Sequence, residues 1–235
     1  MTGRHSPTSA KVLILSILAL AACGKGTINS SQTTGGIMFV NASLNQEDID
    51  IYSFSAIVAS GLTYPDSTGY MQVGVGTAFN LTYFPTGSTL DTLESGTTDI
   101  TSAADYSFFI IDSAGGHVQV ADVQDILTPP SADSVKLRFL NFSISSPLVD
   151  LVNVSSGQTL YSGMGFDANI AANSAFMTFP AGTYTFAVRP TGTTTVLASV
   201  NSLSLSGGGI YTLFLKGSAD STGVAALSVG VIRNK

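Results

Sequence analysis

The segment Phe39-Val40-Asn41-Ala42-Ser43 returns as Phe139-Leu140-Asn141-Phe142-Ser143, and Asp50-Ile51 returns as Asp150-Leu151 at the same offset of 100. Two matches in one register mark an internal duplication, so each copy must close a core of its own within roughly a hundred residues. Phe84-Pro85-Thr86-Gly87 matches Phe179-Pro180-Ala181-Gly182 at an offset of 95, and Tyr106-Ser107-Phe108-Phe109 matches Tyr211-Thr212-Leu213-Phe214 at 105. Small loop insertions produce such drift. Between the copies lies Thr128-Pro129-Pro130-Ser131-Ala132-Asp133, where paired prolines interrupt regular structure and make a semi-rigid linker. A period this long is not a solenoid repeat, so the chain reads as two tandem domains.

Within each copy the dominant period is two, which is the strand signature. Val135, Leu137 and Phe139 face one way and Lys136 and Arg138 the other. The 31 Ser, 26 Thr and 24 Gly favour turns and strand faces over helices. Helical signals are confined to short turns around residues 102–105 and 120–126. Short strands separated by turn residues predict an all-β chain of two tandem β-sandwich domains, Ig-like or transthyretin-like. The expected boundaries are a signal peptide at 1–22, a lipidated flexible tether at 23–35, domain 1 at 36–128, a linker at 129–134 and domain 2 at 135–235.

Arg4, His5 and Lys11 precede an 11-residue apolar run, Val12 to Ala22, the layout of a secretory signal and too short to span a bilayer. It ends in Leu20-Ala21-Ala22-Cys23, which resembles the bacterial lipobox. That resemblance implies cleavage before Cys23 and acylation of its thiol, with the bilayer as partner and the palmitate-bearing Cys23 as anchor. Two or more acyl chains hold firmly where one is marginal. The residue after Cys23 is Gly24, which points to the outer membrane of the cell envelope. Loss of residues 1–22 leaves seven Lys/Arg against fifteen Asp/Glu, a net charge of −8. No nucleic-acid partner is expected, since that affinity comes from basic groups facing phosphates.

The same counts limit the chemistry. Cys23 is the one cysteine, Trp is absent, and His117 is the one histidine of the mature chain. Disulfide frameworks and Cys/His zinc sites therefore lack material, and no G-x-S-x-G elbow accompanies His117. Gly163-Met164-Gly165-Phe166-Asp167-Ala168 fits G-x-G-x-x-A in form, but no amphipathic helix or acidic residue follows as a dinucleotide site requires. Glu47, Asp48 and Asp50 form a tight acidic cluster, yet three carboxylates at strand spacing do not supply the six to eight oxygens calcium takes. The recurrence of Asp50 as Asp150 suits a carboxylate that accepts turn hydrogen bonds. No metal, cofactor or catalytic residue is assigned. Tyr64, Asp66 and Tyr70, in a turn-rich loop, are the candidate ligand-binding residues.

The second copy is recognisable. Arg138-Phe139-Leu140-Asn141, Pro147-Leu148-Val149-Asp150-Leu151, Pro180-Ala181-Gly182-Thr183-Tyr184-Thr185, Val188-Arg189-Pro190-Thr191-Gly192-Thr193 and Gly209-Ile210-Tyr211-Thr212-Leu213-Phe214-Leu215-Lys216-Gly217 together resemble the bacterial envelope family termed domain of unknown function 4397. The resemblance covers nearly all of 135–220. It is weaker in the first copy, where Glu47 stands for the proline, Ser88 and Leu90 stand for threonines, and no Arg-Pro follows. It implies tandem β-sandwich modules on lipoproteins or secreted proteins, and offers no catalytic residue to carry over. The expected function is a membrane-anchored, non-enzymatic envelope lipoprotein that binds or adheres to a protein or glycan partner. A self-associating structural component and a carbohydrate-active hydrolase are the alternatives.

Overall fold

A computed structural model of the chain describes residues 33–44, 48–167, 170 and 175–235. The first unit runs β1 (Thr34–Asn41), β2 (Asp48–Ser53), β3 (Ala56–Thr63), β4 (Met71–Gly74), β5 (Gly76–Pro85), β6 (Glu94–Ile100), β7 (Asp105–Asp112) and β8 (Val118–Asp125). The second runs β9 (Ser134–Asn141), β10 (Val149–Asn153), β11 (Thr159–Met164), β12 (Met177–Pro180), β13 (Gly182–Pro190), β14 (Ala198–Leu205), β15 (Ile210–Lys216) and β16 (Ser228–Arg233). Unit one has sheets ordered β4-β1-β7-β8 and β3-β2-β5-β6, and unit two has β12-β9-β15-β16 and β11-β10-β13-β14. The order is the same strand for strand. In each unit one pair is parallel, β1 with β7 and β9 with β15, and the rest are antiparallel. The described residues form an all-β fold, as the alternation and small-residue content predict.

Two sequence expectations need correction. The stretch 120–126 is not a helical turn, because Val118–Asp125 is the edge strand β8 along the whole of β7. The match of Phe84-Pro85-Thr86-Gly87 with residues 179–182 is also displaced. Ile49 pairs with Pro85 and Val149 pairs with Pro190, so Pro85-Thr86-Gly87 answers Pro190-Thr191-Gly192 at an offset of 105. The Phe-Pro likeness to 179–180 arises from the short strand β12, which has no such role. Strand β1 starts at Thr34, inside the stretch expected to be tether.

The recurring motifs have recurring jobs. The Asn41 amide donates to Leu62 O at 3.0 Å and accepts from Ser43 N at 3.1 Å. Asn141 repeats this with Met164 O at 3.2 Å and Ser143 N at 3.0 Å. Each asparagine thereby ties the end of an inner strand to the adjoining edge strand of the opposite sheet. The Asp50 carboxylate accepts from Ser60 Oγ, Gly61 N, Thr86 Oγ1 and Gly87 N at 2.8–3.1 Å. Asp150 accepts from Ser162 Oγ, Gly163 N, Thr191 Oγ1 and Gly192 N at 2.8–3.3 Å. All four donating glycines have positive φ, 61–81°, a conformation that turns the amide toward the carboxylate and disfavours other residues. Burial opposes the charge on both aspartates, but the hydrogen bonds outweigh it and hold both below the ordinary carboxylate range.

Each unit closes around its own core. Ile37, Phe39, Ile51, Leu81, Phe108 and Ile110 fill the first. Leu137, Phe139, Leu151, Phe186, Val188 and Leu213 fill the second. The alternate residues of the same strands build a third core between the units, with Met38, Val40, Phe109 and Ile111 meeting Leu140, Phe142, Phe214 and Ile232. Phe109 lies 4.8 Å from Phe142 and 6.1 Å from Phe214, ring centre to ring centre. Strands β1, β7, β9 and β15 are therefore covered on both faces, which is why they read as nearly continuous apolar runs. The four sheets stack in one block.

Candidate ligand cleft and the interdomain seam

At the centre of the seam, equivalent positions of the two units meet. Ser107 Oγ donates to Asp125 Oδ2 at 2.6 Å in the first unit, and Thr212 Oγ1 donates to Asn234 Oδ1 at 2.8 Å in the second. Arg138 of β9 crosses the seam to Asp125 of β8, Nη2 to Oδ1 2.8 Å, with both side chains at 0% exposure. The guanidinium also donates to Thr212 Oγ1 at 2.9 and 3.2 Å and lies 4.6 Å from the Phe176 ring centre.

Two of the three residues nominated for a ligand sit on this seam. The Tyr70 hydroxyl donates to Asp125 Oδ2 at 2.6 Å and accepts from Asn234 Nδ2 at 3.1 Å, linking the units. Burial, and then the Asp125 charge, raise its pKa, so it stays a donor. Tyr64 receives Lys216 Nζ on its hydroxyl at 3.0 Å, with that ammonium 4.6 Å from its ring centre. Burial lowers the Lys216 pKa. Asp66 is exposed and accepts from Thr63 Oγ1 at 3.1 Å, while its carbonyl takes the Asn41 amide. Tyr64 and Tyr70 thus contact the neighbouring unit, and Asp66 alone of the three faces solvent. Cys23, and Glu47 of the acidic cluster, lie outside the described residues.

A recess of about 210 Å³ opens elsewhere, at the edge of the first sandwich between β6 and β8. Tyr83, Glu94, Gly96, Thr98 and Asp122 line it, over an apolar wall of Leu81, Phe108 and Val120. The registers explain its origin. Leu81 pairs with Gly96, Tyr83 with Glu94 and Phe108 with Asp122. In the second unit Phe186 pairs with Val200, Val188 with Ala198 and Leu213 with Val231. Where the second unit closes its edge with Val188, Ala198, Val200 and Val231, the first has Tyr83, Glu94, Gly96 and Asp122. A Cβ built on Gly96 meets nothing within 4 Å, so the missing side chain is what opens the edge.

The Tyr83 hydroxyl is the chemical anomaly here. The residue is 2% exposed, and its oxygen has no hydrogen-bond partner. Burial, and then the charges of Asp122 and Glu94, raise its pKa, so the phenol remains protonated. A buried polar group left unmatched costs about 1–3 kcal/mol. Tyr83→Phe should therefore leave the isolated protein as stable or more stable, by up to about 1–2 kcal/mol in urea unfolding. A loss of more than about 1 kcal/mol would show that the hydroxyl is matched. Sequence likeness hides this recess, because it sets Phe84-Pro85 of β5 against Phe179-Pro180. With Pro85 set against Pro190, the Tyr83/Val188 difference stands out.

Comparison with known proteins adds the family. No curated protein matches the chain. Among solved structures, the TIE protein of Bacillus anthracis aligns with 12% identity and a TM-score of 0.23, covering 78% of this chain and 34% of that one. The chain therefore spans about a third of that protein's length. A family CBM26 module of Eubacterium rectale Amy13K, solved with maltoheptaose, aligns at 11% identity and TM-score 0.21, covering 86% and 97% of the two chains. A protein described as a cell-adhesion protein from Bacteroides eggerthii aligns at 10% identity and TM-score 0.21, covering 88% and 98%. The profile of one family matches residues 35–152, the whole first unit and the opening strands of the second. That span begins in the copy whose motifs are the fewer, and it covers half of the sequence: the chain belongs to the family described as domain of unknown function (DUF4397).

Proposed function

We propose that the chain is a non-enzymatic binding or adhesion module, held to the bacterial envelope by acylated Cys23. In this reading the second unit is scaffold and the first carries the contact site. The supporting observation is the divergence of two otherwise matching sandwich edges, one closed with valines and the other left open around Tyr83 and Gly96. The Arg138–Asp125 seam gives the site a rigid mount, as binding by loops and edges requires.

The test uses the full chain. Wild type should fractionate with membranes and pellet with isolated envelope fragments in detergent, while Cys23→Ala should leave the membrane fraction. Gly96→Val, the residue that the second unit has at this position, should keep the membrane fractionation and lose the pelleting. Equal pelleting by wild type and Gly96→Val would remove the cleft from the function. Unchanged membrane association of Cys23→Ala would remove the anchor.

A further inference from the structure

The cleft's own chemistry narrows what it can hold, given the preceding reading that it is a binding site. Its volume of about 210 Å³ is below the roughly 300–1,000 Å³ of sites for drug-sized ligands, which restricts the occupant to one side chain or one small molecule. Two carboxylates, Glu94 and Asp122, line it together with no Lys or Arg, so an anion is repelled. The lining aromatics, Tyr83 and Phe108, are each 2% exposed and offer the cleft too little ring area for a sugar to stack on. What remains is a group with several N–H donors on a slender apolar stem. A hydroxyl oxygen with no partner and two carboxylates can each accept one such hydrogen bond, and hydrogen bonds to ionised groups are the strong kind.

We propose that this cleft takes a primary alkylammonium group, inserted from the β6–β8 edge with its methylene stem against Leu81, Phe108 and Val120 and its head among Glu94, Asp122 and the Tyr83 hydroxyl. The ammonium has three N–H donors for those three acceptors. A lysine-type stem buries its methylenes along an apolar wall while its charged head stays at polar groups. The second unit, with Val188, Ala198 and Val231 at the matching positions, has no acceptor side chains there and does not take the group. The source is either a lysine side chain of another protein or a free diamine.

Titration of the full chain by NMR with 1,5-diaminopentane, with Nα-acetyl-lysine N-methylamide and with 1-pentanol tests this. Both amines should shift resonances of β6 and β8, more weakly as salt is raised, and pentanol should not. Tighter binding of the lysine derivative assigns a protein source, and tighter binding of the diamine a free one. Glu94→Gln and Asp122→Asn, both at the accessible rim, should each weaken the amines about tenfold, and Tyr83→Phe several-fold. Gly96→Val should abolish binding with its thermal midpoint kept. Pentanol bound as tightly as the diamine overturns the ammonium assignment, as does binding indifferent to Glu94→Gln and Asp122→Asn. If the amines fail while envelope fragments still pellet in a Gly96-dependent way, the ligand class is wrong and the contact site stands. If pelleting also ignores Gly96, both fall.

Discussion

Arg138→Met should cost the protein about 3–5 kcal/mol and lower its thermal midpoint by on the order of 10 °C. Methionine is the residue at the matching position of the first unit, Met38, so shape and strand propensity are nearly conserved and the effect isolates the charge. Removing the guanidinium leaves the Asp125 carboxylate at 0% exposure with the Ser107 and Tyr70 hydroxyls but no counter-charge. An uncompensated buried charge is the expensive case. The double variant Arg138→Met with Asp125→Leu removes both charges and should recover part of the loss, because replacing a whole buried pair by apolar groups is often neutral or better, while the Ser107 and Tyr70 hydroxyls lose their shared acceptor. Arg138 Nη1 has no hydrogen-bond partner, so the native pair is not optimally matched, which favours recovery further. Denaturant unfolding of the full chain measures both variants. A single-variant loss below about 1 kcal/mol would mean that the seam is hydrated enough to screen Asp125.

Asp150→Ala should cost about 2–4 kcal/mol, by leaving four donors on two turns of the second unit without their common acceptor. Asp50→Ala should do the same in the first. These carboxylates also set the acid limit of the fold. Each has a folded pKa below its ordinary value of 3.8, so its contribution is complete above that value and is lost as pH falls through the lower folded one. Wild-type stability should therefore decline as pH falls below about 4. The Asp50→Asn/Asp150→Asn double variant should start lower at pH 7 and decline less. Urea midpoints at neutral and acid pH check this, and equal declines in the two proteins would place the acid sensitivity elsewhere.

Much of the architecture was legible because its signals are local. Strand alternation at 135–139, the turn residues between strands and the repeated Phe-x-Asn-x-Ser motif each depend on neighbours within a few positions, and each led to the right class of fold. Asp50 and Asp150 were legible too, since a carboxylate at the same place in two copies suits a shared turn contact. The offset across β5 was not, because sequence likeness between Phe84-Pro85 and Phe179-Pro180 carries no information on which strand each pairs with. Tyr64 and Tyr70 looked like loop residues awaiting a ligand, and they are loop residues, but the surface awaiting them is the other unit.

A period of two says that a strand has two different faces and leaves open what covers each. For β9 the alternation separates Val135, Leu137 and Phe139 from Lys136 and Arg138, and the ordinary reading of the second set is solvent. Only the stacking of the units buries Arg138 against Asp125 and makes the polar face the middle of the molecule. The cleft was hidden for a related reason. Glu94, Gly96 and Asp122 are unremarkable along their own strands, and become a site only when β6 and β8, edges of two different sheets, are set side by side above Tyr83. Composition, period and duplication settle the kind of element and how often it recurs, because backbone geometry is local. Which edges meet, and which faces are left without solvent, is decided by contacts between strands far apart in the chain.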